Sequence, residues 1–336
     1  MANEDLKRLY DGLETATGLL HQALKTSYLD AAIEAGEDFT SGAIHQEDGI
    51  PNADTAAKLK AAYASLKRED YSAEELRQAL QLLLVKAIQV DGIEPNKQVT
   101  PDAMASLATF MVTTFYPQMP ARLQVVDPTV GTGNLLFAVM NQLHNATKVA
   151  VHGTGIDNDE TLLAFAGMSA AMQGVDVELF HQDALDTPLI RDADIVVADL
   201  PVGFYPLDER AKAFKTAAQS GHSYAHHLLI EQSLNLLAPG GLGLFYVPST
   251  VFQSAEAQGL TAWLTQAAYF QGLLNLPENF FATKKAQKSL LVLQKPGAQA
   301  KQAAQVLLGT FPELSDRQAF GEFIAKVKDW APQIQA

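Results

Sequence analysis

From residue 96 onward, short apolar runs alternate with longer stretches of helical periodicity, and this alternation restricts the possible folds more than any other feature. A chain of this kind builds a mostly parallel sheet, because each helix must carry it back to begin the next parallel strand. The predicted strands cover residues 123–126, 149–155, 175–180, 195–198, 243–247, 272–276 and 289–294. We therefore expect residues 96–336 to form an α/β domain with a doubly wound, mostly parallel, seven-stranded sheet.

Residues 1–95 show a different pattern, in which no strand is predicted. Apolar side chains between Leu6 and Ile33 recur at helical spacing, and a second helix is predicted over residues 54–66. A third helix has an acidic first turn after Ser72 and ends at the turn-forming residues that begin with Asp91. The pattern predicts an all-helical N-terminal domain over 1–95, which carries no catalytic signature and is interpreted as a cap or an oligomerisation module.

The composition excludes several classes of protein. The chain contains no cysteine, which rules out a disulfide scaffold, a thiolate nucleophile and a cysteine-ligated metal. No apolar run reaches the ~18–20 residues of a membrane-spanning helix, and the first residues lack the form of a signal peptide. His222, His226 and His227 cluster without the spacing of a metal site. We expect a cytoplasmic protein without a membrane segment and without a metal.

The strongest local motif is D-P-T-V-G-T-G-N-L-L at residues 127–136, where a predicted strand enters a glycine turn and continues into a helix. Gly131 and Gly133 permit positive φ and a close approach of a ligand to the backbone. The turn is similar to the G-x-G-x-x-G of Rossmann-like dinucleotide sites, but Leu136 replaces the third glycine. Asp127 before the turn would repel a pyrophosphate and suits a cation, which favours S-adenosylmethionine over NAD.

Two further carboxylates follow at the ends of the next two predicted strands. Asp157 lies 24 residues after Gly133, close to the ~20-residue spacing at which an acid binds the ribose hydroxyls of a nucleotide. Asp183 ends the third strand, where a carboxylate can accept a hydrogen bond from an adenine amine. Because the carboxyl ends of parallel strands meet at one edge of the sheet, we expect these acids and Asp127 to form one cofactor site.

Over about residues 96–295 the sequence resembles the class I S-adenosylmethionine-dependent methyltransferases, in particular their adenine-specific DNA-methylating branch. It is similar to the modification subunits of type I restriction systems and to a stand-alone group called YtxK-like. The resemblance rests on Thr100-Pro101, on residues 127–136, on A-P-G-G-L-G-L-F-Y-V-P at 238–248 and on L-P-E-N-F-F at 276–281. It implies a Rossmann-like fold and the following contacts to S-adenosylmethionine: Thr100, Asp127, Pro128, Gly131, Gly133, Asn134, Leu135, Asp157, Asn158, Asp183, Ala184 and Asp199.

The catalytic motif of that branch is Asp/Asn-Pro-Pro-aromatic after the fourth strand, and here it reads D-L-P-V at 199–202. In the family, the acid and a backbone carbonyl of the turn accept hydrogen bonds from the exocyclic amine, and the aromatic residue stacks on the extruded base. Leu200 and Val202 depart from this pattern because they replace the first proline and the aromatic residue. The resemblance implies a catalytic set of Asp199, Leu200, Pro201, Phe204, Tyr205 and Phe281, with the aromatic members as candidates for stacking.

Charge and length bear on the substrate. The formal net charge is −14, which disfavours tight binding to a phosphate backbone, although Lys284, Lys285 and Lys288 form a basic stretch interpreted as a phosphate contact. About 40 residues follow the last predicted strand, too few for a target-recognition region. We expect N6 methylation of adenine in DNA and only weak binding of DNA by the chain alone. The expected partner is a specificity subunit, or a second copy of the chain in a homodimer through the N-terminal helices. An RNA or protein-glutamine methyltransferase and a non-catalytic cofactor- or partner-binding module are the alternatives.

Overall fold

The structure is a computed structural model that describes residues 2–93, 99–116, 118–253, 256–281, 283–297, 300–313 and 315–334. The helices are α1 (Ala2–Leu24), α2 (Tyr28–Ser41), α3 (Ala53–Tyr63), α4 (Ala73–Asp91), α5 (Asp102–Phe115), α6 (Asn134–Thr147), α7 (Glu160–Gln173), α8 (Asp208–Ala211), α9 (Ala225–Leu236), α10 (Ala257–Ala267) and α11 (Arg317–Trp330). The strands are β1 (Arg122–Asp127), β2 (Ala150–Asp157), β3 (Val177–His181), β4 (Ala193–Asp199), β5 (Leu237–Pro248), β6 (Tyr269–Asn275), β7 (Lys288–Gln294) and β8 (Leu307–Thr310).

Helices α1 to α4 precede the sheet, as the sequence predicts. The periodic stretch from Leu6 to Ile33 is two helices instead of one, because Lys25 adopts a positive φ of 57° and Ser27 caps the start of α2. The cap of α4 is a capping box, in which Ser72 and Glu75 satisfy each other's backbone amides. The predicted boundary at residue 95 lies outside the described residues, so the division into 1–95 and 96–336 stays a prediction.

The sheet has the strand order β3-β2-β1-β4-β5-β7-β6-β8. Strand β7 runs antiparallel to β5 and β6, and the other neighbouring pairs are parallel. Apolar cores cover both faces, so the predicted doubly wound α/β fold is confirmed. The order reverses between β1 and β4, which opens a crevice at the carboxyl ends of these strands.

The prediction of seven strands is one strand short. The eighth, β8, pairs in parallel with β6 at the edge of the sheet through four residues. Of these four residues only Leu307 is buried, and Leu308 is exposed. So short a run, with a single buried side chain, lacks the alternation by which strands are found in a sequence.

The helical segment shares an apolar core with the first part of the sheet domain. Side chains of α7 pack in one cluster with those of α1, α2 and α4. The packing is closest at Gly36 of α2, where an added Cβ would lie 2.2 Å from the sulfur of Met168. A larger residue at position 36 would therefore require the side chain of Met168 to move.

A buried guanidinium also links the two parts. Arg77 of α4 is 2% exposed and forms ion pairs with Glu74 and with Asp102, at the start of α5. Its Nη1 donates to Oδ1 of Asn134, the first residue of α6, at 2.7 Å. Asn134 in turn donates to the carbonyl of Thr100. The helical segment thus orients the chain on both sides of the crevice.

Across the described ranges, no helix combines the length and apolar character that crossing a membrane requires.

Candidate active site

A cavity of about 250 Å³ lies at the switch point of the sheet, where β1, β2 and β4 end. It is lined by Val99, Thr100, Asp127, Thr129, Val130, Gly131, Thr132, Asn134, Leu135, Asp157, Asn158, Asp159, Leu162, Asp199, Pro201 and Lys288. Most of the predicted cofactor contacts are among these residues. Four of them are absent from the lining: Pro128, Gly133, Asp183 and Ala184.

The two glycines of the turn have different roles. Both adopt positive φ, 50° at Gly131 and 79° at Gly133. A Cβ on Gly131 would meet no atom within 4 Å and would reach into open space beside the cavity, so this glycine leaves room for a ligand. A Cβ on Gly133 would lie 2.3 Å from the ring of Phe137. Gly133 is therefore required for packing at the start of α6, and Pro128 is likewise buried in the turn.

Asp127 ends β1 with its side chain almost completely buried, at 1% exposure. Its Oδ1 accepts a hydrogen bond from the backbone N–H of Thr129 at 2.9 Å. Burial, and to a smaller extent the negative charges of Asp157 and Asp199, together raise the pKa of this carboxyl to about 8. A cationic ligand beside Asp127 would lower that pKa again, so the residue is suited to a ligand that carries positive charge.

Asp157 ends β2 and holds the glycine turn. Its Oδ2 accepts from the backbone N–H of Gly131 at 2.7 Å, and its Oδ1 accepts from the N–H of Asp159 at 2.9 Å. Each carboxylate oxygen can accept a second hydrogen bond, so the side chain can still receive hydroxyl donors from the cavity. This arrangement fits the predicted contact to ribose.

Asp199 ends β4 and has a partner on each oxygen. Thr100 donates its hydroxyl to Oδ2 at 3.0 Å, and Nζ of Lys288 forms an ion pair with Oδ1. Both side chains of the ion pair are 19% exposed and line the cavity. The catalytic acid predicted from the sequence therefore shares its site with a lysine.

Lys288, interpreted from the sequence as part of a phosphate contact, lies in the cavity and is paired with Asp199, and the phosphate contact itself stays a prediction. Because β7 runs antiparallel beside β5, its first residue lies at the edge where β4 ends. Lys284, four residues earlier, does lie on the surface, with its side chain 81% exposed and 3.4 Å from Glu278. The side chain of Lys285 is outside the described part of the structure.

The two residues after Asp199 differ in what they present to the cavity. Leu200 is fully buried in the apolar core, and its backbone N–H donates to the carbonyl of Tyr246. Pro201 lines the cavity next to Asp199. The leucine that replaces the first proline of the family motif thus contributes packing, and its side chain does not face the site.

The three aromatic candidates for stacking lie in different environments. Phe204 is 56% exposed and stacks on Tyr224, with ring centroids 4.7 Å apart. Tyr205 is buried, and its hydroxyl donates to Oδ2 of Asp183 at 2.6 Å. Phe281 is partly buried against the apolar core. Of these three residues, Phe204 is the one with a solvent-exposed ring, whereas the sequence predicts stacking for any of the three.

Asp183 is engaged within the protein and does not line the cavity. Its Oδ2 also accepts from Arg210 at 2.9 Å, and its Oδ1 accepts from the N–H of Leu185. This acid is thus paired within the protein, and its expected contact with a cofactor adenine stays a prediction. Ala184 packs against the core, and its carbonyl accepts from Gln232. The sequence could not reveal these partners because they come from other parts of the chain.

The histidine cluster is a packing feature. Burial lowers the pKa of His226 to about 3 and that of His227 to about 4, so both rings are neutral at physiological pH. Their rings contact each other and Tyr224. Among the described residues, no three histidine or carboxylate side chains are placed to hold a metal ion.

Fold and cavity together define a class I S-adenosylmethionine-dependent methyltransferase. The chain belongs to the N-6 DNA methylase family, whose model matches residues 76–318. The model of the YtxK N-terminal helical domain matches residues 7–88, which correspond to α1–α4. The family implies S-adenosylmethionine as the methyl donor.

Individual relatives agree with this assignment. The chain is 36% identical to a protein of Bacillus subtilis (strain 168) that is named uncharacterized protein YtxK. The similarity extends over 330 residues, which are 98% of this chain and 98% of the relative. A crystal structure from Listeria monocytogenes, assigned to the class I S-adenosylmethionine-dependent methyltransferases, is 34% identical with a TM-score of 0.91, over 98% of this chain and 99% of that one. A type I restriction-modification system methyltransferase subunit from Streptococcus thermophilus shares the fold, at 16% identity and a TM-score of 0.64, over 94% of this chain and 73% of that one.

Proposed function

We propose that this chain transfers a methyl group from S-adenosylmethionine to an exocyclic amine, namely N6 of adenine in DNA. The observation that carries the proposal is the position of Asp199. Its carboxylate, fixed by Thr100, opens on the same cavity as Asp127 and Asp157. An amine hydrogen-bonded to Asp199 would lie beside a cofactor held by the other two acids.

The groups that line the cavity suit the cofactor in charge and in hydrogen bonding. S-adenosylmethionine supplies an electrophilic methyl group on a positively charged sulfur. Asp127 faces the cation, Asp157 accepts the ribose hydroxyls, and the open space at Gly131 admits the ligand next to the backbone. Thr100 and Asn134, which are hydrogen-bonded to each other, close the side next to the helical segment.

On the substrate side, Asp199 accepts a hydrogen bond from the exocyclic amine. This contact opposes delocalisation of the nitrogen lone pair into the ring and leaves it available to form the new N–C bond as the C–S bond breaks. Asp199 is then placed to take the proton that the methylated amine must lose. Phe204, backed by Tyr224, offers an exposed ring on which an extruded base can stack.

Binding to DNA is expected to be weak for the chain alone. The net charge of −14 opposes a phosphate backbone, and Lys284 is already paired with Glu278 on the surface. A specificity subunit, or a homodimer through the N-terminal helices, would strengthen this binding. Structural neighbours include subunits of type I restriction-modification systems, which is consistent with such a partner and with action on DNA.

The proposal is tested by incubating the purified chain with tritiated S-adenosylmethionine and with DNA, RNA or a protein extract from the same cells. We expect label in DNA with the wild type, and none with Asp199→Ala, because the amine loses its acceptor. Glu209→Ala is the matched control, since Glu209 is an exposed acid whose side chain is 88% accessible. Label confined to RNA or protein, or equal label with Asp199→Ala, would overturn the assignment.

A non-catalytic, cofactor-binding module is the second candidate, and two observations favour it. Val202, which stands in place of the stacking aromatic residue, is exposed and offers no π-face, and Asp199 is already paired with Lys288. In the same experiment this candidate predicts binding of S-adenosylmethionine without transfer to any of the three substrates.

A further inference from the structure

A donor and an acceptor stand side by side at the place where the substrate amine must bind. Oδ1 of Asp199 and Nζ of Lys288 are in direct contact, and both residues line the cavity with Pro201. Each side chain is 19% exposed, so the pair faces the cavity and is mostly withdrawn from solvent. A ligand entering here meets a carboxylate and an ammonium group together.

Both members of the pair are held by the fold. The second oxygen of Asp199 accepts from Thr100. Lys288 is the first residue of β7, paired with Pro248 of β5, and its carbonyl accepts from the N–H of Leu276 at 3.0 Å. The carboxylate is thus anchored at the end of β4 and the ammonium at the start of β7, and β5, which pairs with both strands, fixes their relative position.

This pair complements one chemical feature of the proposed substrate. In adenine, the exocyclic N6 amine is a hydrogen-bond donor, and the adjacent ring nitrogen N1 is an acceptor. We propose that Lys288 is a specificity-determining residue that donates a hydrogen bond to N1 of the target adenine while Asp199 accepts one from N6. This inference rests on the proposed function and adds the group that reads the second atom of the base edge.

The pairing explains why a lysine is compatible with the catalytic acid. Without substrate, the two charges satisfy each other, and a bound adenine gives each of them a partner, so neither is left unpaired in a mostly buried site. A base with a carbonyl next to a ring N–H presents the reverse order. It would place an acceptor against Asp199 and a donor against Lys288. The site therefore rejects such a base through two mismatched contacts.

The test uses an oligonucleotide with the sequence that the wild type methylates, carrying either adenine or 1-deazaadenine, which has C–H in place of N1, at the target position. We expect kcat/KM of the wild type to fall about 10- to 100-fold on the analogue, as for the loss of a hydrogen bond to a charged group. Lys288→Met should lose a similar factor on adenine. For each protein we take the ratio of kcat/KM on adenine to kcat/KM on the analogue, and this ratio should be about 10- to 100-fold smaller for Lys288→Met than for the wild type. Comparing the ratio between the two proteins cancels the intrinsic difference in nucleophilicity between the two amines.

Two further variants separate this role from others. Lys288→Arg retains a donor and should recover discrimination against the analogue, while Lys284→Met, which alters the exposed lysine, should behave as the wild type. Calorimetric binding of S-adenosylmethionine by Lys288→Met shows that the variant cavity is folded. The same ratio of kcat/KM on adenine to kcat/KM on the analogue in the wild type and in Lys288→Met, or faster methylation of adenine by Lys288→Met, would overturn the role of Lys288. Absence of adenine methylation by the wild type would instead overturn the proposed function and this inference with it.

Discussion

Cofactor affinity should depend on pH through Asp127. This side chain is 1% exposed, and burial raises its pKa to about 8 in the unliganded protein. The ionised form attracts a cationic cofactor, whereas the protonated form does not. Binding below pH 8 must therefore release a proton, and affinity should rise as the pH increases.

The size of the effect follows from the pKa of about 8. The ionised fraction of such a group grows from about 1% at pH 6 to about 90% at pH 9. If only the ionised form binds, the association constant for S-adenosylmethionine increases by up to about 90-fold, or about 2.7 kcal/mol, over this range. Asp157 and Asp199 lie on the same cavity as Lys288, and the charges of the two acids contribute to the raised pKa.

Isothermal titration calorimetry at pH 6, 7, 8 and 9 measures this dependence, and buffers with different ionisation enthalpies report the proton released. Asp127→Asn is the control, because it keeps the shape of the side chain and removes its charge. We expect a steep dependence for the wild type and a shallow one for the variant, which retains only the titration of the ligand. An affinity of the wild type that is constant or falls with pH, or an equal slope in the variant, would refute the reasoning.

Three substitutions test the surroundings of the site. Arg77→Met removes the buried guanidinium and leaves two partly exposed acids, so it should lower the free energy of unfolding by about 1.5–3 kcal/mol in chemical denaturation; a loss below about 0.5 kcal/mol would show that the network is unimportant. Gly133→Ala should cost about 1–3 kcal/mol, because its Cβ meets Phe137 at positive φ, and an unchanged Tm would contradict the packing role. Tyr205→Phe removes a hydrogen bond to Asp183 and should cost about 1 kcal/mol while methylation stays within about twofold; a collapse of activity at preserved stability would show that Tyr205 takes part in catalysis, as the family resemblance implies.

Much of the site could be predicted because it depends on local sequence. A parallel sheet brings the carboxyl ends of its strands to one edge, so Asp127, Asp157 and Asp199 are brought together by topology alone. The glycine turn is likewise a local motif, in which positive φ at Gly131 and Gly133 is encoded by the residue type. Seven of the eight strands are predicted correctly because each is marked by a local run of apolar residues.

The parts that sequence reasoning missed depend on contacts between distant segments. Asp183 follows β3 by two residues, but Tyr205 and Arg210, which come after β4, engage its carboxylate. Lys288 reaches Asp199 because β7 is antiparallel to β5, and strand direction is not visible in an apolar run. A pattern that predicts a strand does not predict its neighbours.

The atom that receives the methyl group tests the central claim most directly. The purified chain is incubated with DNA and with S-adenosylmethionine that carries a deuterated methyl group, and the nucleosides are analysed by mass spectrometry. The account predicts the deuterated methyl group on N6 of deoxyadenosine with the wild type, and its absence with Asp199→Ala. Unmodified deoxyadenosine after incubation with a protein that binds the cofactor, or the label on another atom of DNA, would contradict it.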